Sequence, residues 1–153
     1  MNKERVAFTG SQTITTLDKQ LIEEVISSLE EPELFITGGC IGVDHYVAQM
    51  IQKHFPNTKH VIVLPGNMSK VPDNIRQYAT TVISMPYASA YRERNEMMVR
   101  HATRLVTFWT GKKRYSGTFM TMNIANKQNK LNIKDIFMIG DKAGEDPRNY
   151  YDK

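Results

Sequence analysis

Hydrophobic residues along the chain follow two patterns. Short runs of consecutive apolar positions are typical of strands buried on both faces, whereas apolar positions that recur every three or four residues indicate helices. The runs predict strands at 5–9, 34–37, 60–64, 81–85, 105–109 and 136–139. The periodic stretches predict helices at 43–54, 72–78, 91–101 and 117–130, and another that begins with a capping box of Thr15 and Asp18 and ends before Pro32.

The order of these strands and helices determines the expected architecture. Parallel neighbours need crossover connections, so strands that alternate with helices favour a parallel sheet with helices on both faces. We therefore expect a three-layer, Rossmann-like α/β fold with a mostly parallel sheet of about six strands. A single domain is expected over residues 1–139, followed by a polar C-terminal tail at 140–153 that either wraps the domain or frays.

Composition narrows the class of protein. Of the 153 residues, 41% are hydrophobic and 24% are charged, as in globular proteins. No apolar run approaches the roughly 20 residues of a spanning helix, and the chain begins with a polar segment, so we expect a cytoplasmic protein without membrane partners. The single cysteine, Cys40, fits a reducing compartment and is expected to be a packing residue. The four histidines lack metal-ligand spacing, so no metal and no cofactor are predicted.

A glycine-rich turn at residues 37–44, between a predicted strand and a predicted helix, is the most specific local feature. Gly38, Gly39 and Gly42 allow the backbone to approach a ligand closely. Free N–H groups and the dipole at a helix start favour an anion, so the turn predicts a phosphate cradle. Asp44 follows in the first helical turn, where it either accepts from a ribose hydroxyl or caps the helix.

Small or hydrogen-bonding residues also follow other predicted strands. Ligands of open α/β sheets bind outside the carboxyl ends of the strands, so these residues belong to one candidate site. The predicted ligand-binding residues are Gly10, Ser11, Gln12, Gly38, Gly39, Gly42, Asp44, Arg94, Asn95, Ser116, Gly117 and Thr118. Arg94 lies near a predicted helix start, where a cation is unfavourable unless an anion compensates it. A bound phosphate or a carboxylate partner would supply that anion. Tight turns favour such residue types in any protein, so the combination is more informative than any single turn.

In combination these motifs resemble the SLOG superfamily, a Rossmann-like group that includes the DNA-processing protein A (DprA) family, the LOG phosphoribohydrolases and small stand-alone domains. The resemblance extends over about residues 6–130. Its four motifs are Thr9-Gly10-Ser11, Thr37-Gly38-Gly39-x-x-Gly42-x-Asp44, Arg94-Asn95, and Ser116-Gly117-Thr118-x-x-Thr121. It implies a Rossmann-like fold with a nucleotide-type ligand at the strand ends, in a small stand-alone member of the group.

Two departures from the family pattern bear on activity. Members often carry arginine where this chain has Gln12, which removes one expected phosphate contact. LOG enzymes carry a catalytic glutamate where this chain has Thr121, and threonine does not titrate near neutral pH. The last motif instead resembles the version found in DprA, a type of protein that binds rather than cuts. The departures favour binding and leave enzymatic activity undecided.

Three functions are open on the sequence. The first is binding of a nucleotide or nucleotide-derived phosphate ligand. The second is hydrolysis or transfer at an N-glycosidic bond, as in LOG or deoxyribosyltransferase-like enzymes, with Asp44, Glu93 or Glu96 as the available carboxylates. The third is DprA-like binding of single-stranded nucleic acid, for which a net charge of +4 is permissive but not diagnostic.

The nucleic-acid hypothesis depends on aromatic and basic residues. Trp109, Tyr115 and Tyr87 are its candidate stacking residues. Its basic stripe would consist of Lys112, Lys113, Arg114, Lys127, Lys130 and Lys134. The chain is also rich in methionine, and Met97, Met98, Met120 and Met122 are expected either to pack between helices and sheet or to form the face of a homodimer.

Overall fold

A computed structural model describes residues 3–152, in which six β-strands alternate with α-helices. The strands are β1 (Arg5–Gly10), β2 (Leu34–Thr37), β3 (Lys59–Leu64), β4 (Thr81–Ser84), β5 (Arg104–Trp109) and β6 (Leu131–Met138). The α-helices are α1 (Thr16–Ser27), α2 (Val43–His54), α3 (Tyr91–His101) and α4 (Gly117–Lys127). Short 3-10 helices lie at Ile75–Tyr78, where a helix over 72–78 was predicted, and at Gly140–Lys142 and Pro147–Asn149.

The six strands form one sheet in the order β4-β3-β2-β1-β5-β6, and every neighbouring pair is parallel. The register places Val6 of β1 beside Phe35 of β2 and beside Arg104 of β5. β1 therefore lies inside the sheet, and the later strands extend first to β4 at one edge and then, through β5, to β6 at the other. This arrangement confirms the predicted Rossmann-like α/β architecture.

Helices cover both faces of the sheet. α1 and α2 pack on the face to which Phe8 of β1 points, in a cluster that includes Ile22 and Val47. Neighbouring residues of a strand point to opposite faces, so Ala7 belongs to the other side, where α3 and α4 contribute Met98 and Met122. No helix among the described residues is long and apolar enough to cross a membrane.

The methionines divide between the core and its margin. Met98 is 2% exposed and Met122 is 0% exposed, so both are core residues. Met97 and Met120 are partly buried beside them. The four methionines therefore pack between the helices and the sheet, as one of the two alternatives predicted. A homodimer stays a prediction.

The largest difference from the predicted elements concerns the end of α4 and the start of β6. α4 ends at Lys127 rather than at residue 130, and β6 begins at Leu131 rather than at residue 136. Asn129 adopts a left-handed conformation with a φ of 58°, which is incompatible with continuation of the helix. In β6 the exposed Asn132 and Lys134 alternate with less exposed neighbours, as in a strand that is covered on one face only. The prediction relied on the continuous apolar run and missed this alternating half.

The C-terminal tail packs onto the domain through Tyr151. This residue is 4% exposed, and its ring meets the rings of Trp109 and Phe119 edge-on at centroid distances of 6.1 and 6.0 Å. Its hydroxyl donates to Oδ1 of Asn123 at 3.0 Å. Of the two outcomes expected for the tail, wrapping is the one observed up to residue 152.

Candidate functional site

A large cleft lies at the carboxyl ends of the strands. Its volume is about 1280 Å³, and it is lined by the ends of β1 and β5, by the starts of α2 and α3, and by α4. The connection from β1 leads to one face of the sheet and the connection from the adjacent β5 leads to the other. Such a switch point is the place where ligands bind in open α/β sheets.

The cleft brings together nine of the twelve predicted site residues. These are Gly10, Ser11, Gln12, Asp44, Arg94, Asn95, Ser116, Gly117 and Thr118. The other three, Gly38, Gly39 and Gly42, precede α2 and are not among the described residues that line the cleft. The glycine turn reaches the cleft through Asp44 and Cys40 instead.

Three N–H groups of the glycine turn donate to acceptors of the protein itself. Cys40 N–H donates to the Asp44 carboxylate at 3.3 Å. Ile41 N–H donates at 2.8 Å to a backbone carbonyl of the loop after β3, and Val43 N–H donates at 2.9 Å to the carbonyl of Ser11. These bonds tie neighbouring loops to the start of α2. Phosphate binding by the other donors of this turn stays a prediction.

Glycines in this turn are required by close packing. A Cβ at Gly38 would lie 2.6 Å from Arg94 Nη1 and 2.8 Å from Asp44 Oδ2. Gly42 has a φ of 82°, and a Cβ there would lie 2.4 Å from the backbone of Gln12. Even an alanine would collide at either position. The glycines therefore leave room for Arg94 and Asp44 to lie beside each other at the back of the cleft.

Asp44 is a buried carboxyl group at the wall of the cleft, with 8% of its surface exposed. Burial raises its pKa to about 6 from an ordinary value of 3.8, and the Arg94 guanidinium opposes that rise. A carboxyl group with such a pKa exchanges protons close to neutral pH, which is the property required of a general acid or base. Burial also raises the pKa of the Cys40 thiol, so this residue packs as a neutral group rather than as a thiolate nucleophile.

Arg94 is 7% exposed and is engaged mainly with the protein. Its Nη1 donates to the carbonyl of Gly38 and, at 3.4 Å, to the carbonyl of Val63 at the end of β3. Its Nε donates to Oδ1 of Asn95 at 2.9 Å, as expected if Asn95 orients the arginine. Arg94 therefore joins α3 to two strand ends, and its charge is fixed at the wall of the cleft.

The start of α4 lies at the cleft. Ser116 is the N-cap, and its Oγ accepts from Phe119 N–H at 3.1 Å. Gly117 and Thr118 are the first helical residues, so their N–H groups have no partner within the helix. A Cβ at Gly117 would meet no atom of the described residues within 4 Å. The start of α4 therefore offers N–H donors at the cleft.

Other polar residues considered for catalysis are held by local contacts. Thr121 is 1% exposed, and its hydroxyl donates to the carbonyl of Gly117 at 2.9 Å. Glu93 caps α3 by accepting from Ala90 N–H at 3.3 Å. Glu96 lines the cleft and lies 3.5 Å from Arg92 in an exposed ion pair. No cluster of three or more potential metal ligands occurs in residues 3–152.

Basic side chains surround the cleft, but the predicted stripe is split. The lysines and arginines that line the cleft besides Arg94 are Lys70, Arg92, Lys112, Lys113 and Lys127. Lys130 Nζ instead donates to the carbonyls of Val99 and Arg100 at 2.8 and 3.3 Å and so caps the end of α3. Lys134 lies on the edge strand, beside a separate small pocket.

Two parts of the cleft were missed by the sequence prediction. Met120 and Asn123 line it from α4, one helical turn apart. Asn67 and Ser69 line it from the loop after β3. Helical spacing from Ser116 onwards was a usable signal for the α4 residues, whereas the loop residues carry no periodic pattern.

Comparison with known proteins identifies the fold. No family model and no curated protein matches the chain. Among solved structures, DprA from Streptococcus pneumoniae aligns with a TM-score of 0.72 at 19% identity, over 96% of this chain and 55% of that chain. DprA from Helicobacter pylori, described in its single-stranded DNA binding mode, gives a TM-score of 0.66 at 18% identity, over 95% and 69%. The molybdenum cofactor carrier protein from Chlamydomonas reinhardtii gives 0.60 at 16% identity, over 90% and 76%.

These likenesses concern the fold. The chain spans little more than half the length of the pneumococcal protein, with 55% covered. At identities of 16–19% the shared feature is the arrangement of strands and helices. The fold that the resemblance implied is confirmed: the chain has the Rossmann-like α/β fold seen in the DprA structures.

Proposed function

We propose that the chain binds a nucleotide or nucleotide-derived ligand in the cleft, with a phosphate group at the start of α4. The observation that carries the proposal is the helix start at Gly117 and Thr118, which lines a cleft at the switch point of the sheet. Free N–H groups and the helix dipole favour an anion there. The empty space beside the Gly117 Cα permits close approach of a phosphate oxygen.

The charges around the cleft support an anionic ligand. Lys112 and Lys113 precede α4 in the same connection, and Arg92 lines the cleft from α3. The Arg94 guanidinium adds a buried positive charge at the wall. A cleft with several cations raises the local concentration of phosphate compounds and stabilises them when bound.

Substitution of Gly117 by aspartate tests the proposal. Gly117→Asp places a negative charge at the proposed phosphate position, whereas an acid in the first turn favours the helix itself. Thr16→Asp is the matched control, because Thr16 is exposed and is also the first residue of a helix, away from the cleft. We expect Gly117→Asp to fold and to lose nucleotide binding at least tenfold, while Thr16→Asp binds as the unaltered chain does.

Native mass spectrometry with a panel of nucleotides reports the ligand and the oligomeric state together. If Gly117→Asp and Thr16→Asp bind nucleotides with equal affinity, the phosphate does not bind at the start of α4. Absence of any nucleotide complex with the unaltered chain would contradict the proposal as a whole.

A second candidate is binding of single-stranded nucleic acid. Its supporting observation is the size of the cleft, about 1280 Å³, which exceeds the roughly 1,000 Å³ at the upper end of ordinary ligand pockets. The Helicobacter pylori protein of the same fold binds single-stranded DNA. Anisotropy titrations with oligonucleotides distinguish the candidates: a nucleic-acid site gains affinity with length and loses it steeply with salt, whereas a mononucleotide site is indifferent to length.

The N-glycosidic alternative depends on Asp44. Its position at the cleft wall and its pKa of about 6 suit a group that protonates a departing base. Incubation with the nucleotide panel followed by detection of free base tests this activity. Base release that persists in Asp44→Asn would exclude Asp44 as the acid.

A further inference from the structure

The connection between β5 and α4 presents one aromatic side chain to the cleft. Tyr115 lines the cleft and is 87% exposed. The neighbouring aromatic residues are used by the core: Trp109 is 1% exposed and stacks on Phe119 at a centroid distance of 5.7 Å. The Arg114 guanidinium lies over one face of the Tyr115 ring, and the exposure of the side chain leaves the other face available for a ligand.

The backbone at Tyr115 indicates that folding does not require this residue type. Its φ is 56°, a left-handed conformation that is uncommon for bulky residues and readily adopted by glycine. The connection is held in place because Trp109 Nε1 donates to the carbonyl of Lys112 at 2.7 Å. A strained tyrosine in an anchored loop at a cleft is typical of a residue that serves binding.

The position of Tyr115 relative to the phosphate site suits a nucleotide. One residue, Ser116, separates Tyr115 from Gly117, so their Cα atoms lie within about 7.6 Å of each other. The Arg114 guanidinium lies over the Tyr115 ring, 5.3 Å from its centre, and adds positive charge there.

We propose that Tyr115 is a stacking platform for the aromatic base of the ligand. The inference rests on the proposed function, because the base belongs to the nucleotide whose phosphate binds at the start of α4. It selects one of the three stacking candidates from the sequence, since Trp109 is buried and Tyr87 lies outside the cleft lining. It also defines the ligand class as planar bases that carry phosphate, with little discrimination among bases, because every base has a face that can stack.

The expected effect follows from measured stacking contributions. Loss of one base–aromatic stack weakens binding roughly 5- to 150-fold. Tyr115→Ala should therefore weaken the binding of AMP and dTMP by this factor. Tyr115→Phe retains the ring and should bind both nucleotides as the unaltered chain does. Inorganic pyrophosphate has no base, so its affinity should be the same for all three proteins.

Tyr87→Ala is the matched control, because Tyr87 is likewise 87% exposed but does not line the cleft. Tyr115→Gly separates binding from folding: it should raise the melting temperature by relieving the left-handed backbone and should bind AMP as weakly as Tyr115→Ala. Calorimetric titration of each variant with AMP, dTMP and pyrophosphate measures these affinities.

The outcomes separate the two proposals. If Tyr115→Ala binds AMP and dTMP like the unaltered chain while Gly117→Asp does not, the stacking inference is wrong and the phosphate site stands. Equal weakening of AMP and pyrophosphate by Tyr115→Ala would also refute stacking, since the residue would then act on the phosphate. If the unaltered chain binds none of the three compounds, the proposed function is wrong and the inference fails with it.

Discussion

Replacement of Asp44 by asparagine should make the protein more stable at neutral pH. Asparagine has nearly the same shape and removes a charge that is 8% exposed. Its amide oxygen can still accept from Cys40 N–H, the bond that the carboxylate forms at 3.3 Å. The substitution therefore changes mainly the charge, and the pH dependence of its effect measures the cost of ionising Asp44 in the folded protein.

The magnitude follows from the pKa of the carboxyl group. Below about pH 3 Asp44 is protonated in both the folded and the unfolded chain, so its ionisation does not affect stability. Above pH 6 it is ionised in both states, and burial of its charge makes the folded state less stable. A pKa of about 6 against 3.8, at 1.36 kcal/mol per unit, corresponds to about 3 kcal/mol, which is lost as pH rises from about 4 to 6.

A second buried group titrates over the same range with the opposite sign. His60 is 1% exposed, its Nε2 lies 2.8 Å from Thr37 Oγ1, and burial lowers its pKa to about 4 from 6.5. The unfolded chain takes up this proton first as pH falls, so His60 removes stability below pH 6.5. The two effects nearly cancel in the unaltered chain. The informative quantity is therefore the difference between Asp44→Asn and the unaltered chain, in which the His60 contribution is common to both.

Urea unfolding at several pH values, followed by the fluorescence of the single, buried Trp109, measures this difference. We expect Asp44→Asn to gain about 3 kcal/mol relative to the unaltered chain between pH 4 and pH 7, or roughly 6–12 °C in melting temperature. Asp141→Asn is the control, because Asp141 is exposed and the variant removes the same formal charge. Parallel stability profiles of Asp44→Asn and the unaltered chain would refute the reasoning.

Three further predictions concern buried groups outside the cleft. The imidazole of His60 should titrate near pH 4 by NMR, and a value near 6.5 would show that it is solvated. Among the described residues, Thr107 Oγ1 is the buried polar side-chain atom that has no hydrogen-bond partner. Thr107→Val should therefore raise the free energy of unfolding by about 1 kcal/mol. A decrease in that free energy would indicate that a water binds the hydroxyl. Tyr151→Phe removes the bond to Asn123 and should cost about 1 kcal/mol in urea unfolding, whereas an unchanged midpoint would mean that the tail is held by its ring alone.

The fold was predictable because strands and helices leave different periodicities in the sequence. The run before Thr37 predicted β2 with its observed bounds, and the helix at residues 91–101 was likewise predicted as α3. The error at β6 arose because an edge strand alternates polar and apolar residues, as at Asn132 and Lys134, and a short alternating segment after a helix does not reveal where the helix ends. Asn129 ends α4 because its backbone is left-handed, and the residue type does not reveal this because many asparagines do not adopt that conformation.

The position of the cleft was predictable from the sequence, but the roles of its individual residues were not. Turn residues at four strand ends must converge in a parallel sheet, so their sequence positions sufficed to collect nine residues in one cleft. The sequence could not show which helix start offers donors to a ligand, because this depends on acceptors supplied from elsewhere. At α2 the carbonyl of Ser11 accepts from Val43 N–H, and the Asp44 carboxylate accepts from Cys40 N–H. At α4 the Ser116 side chain accepts from Phe119 N–H, and Gly117 and Thr118 have no acceptor within the helix. A glycine-rich turn therefore indicates close backbone packing at that point, and phosphate binding requires in addition that no acceptor of the protein already occupies its donors.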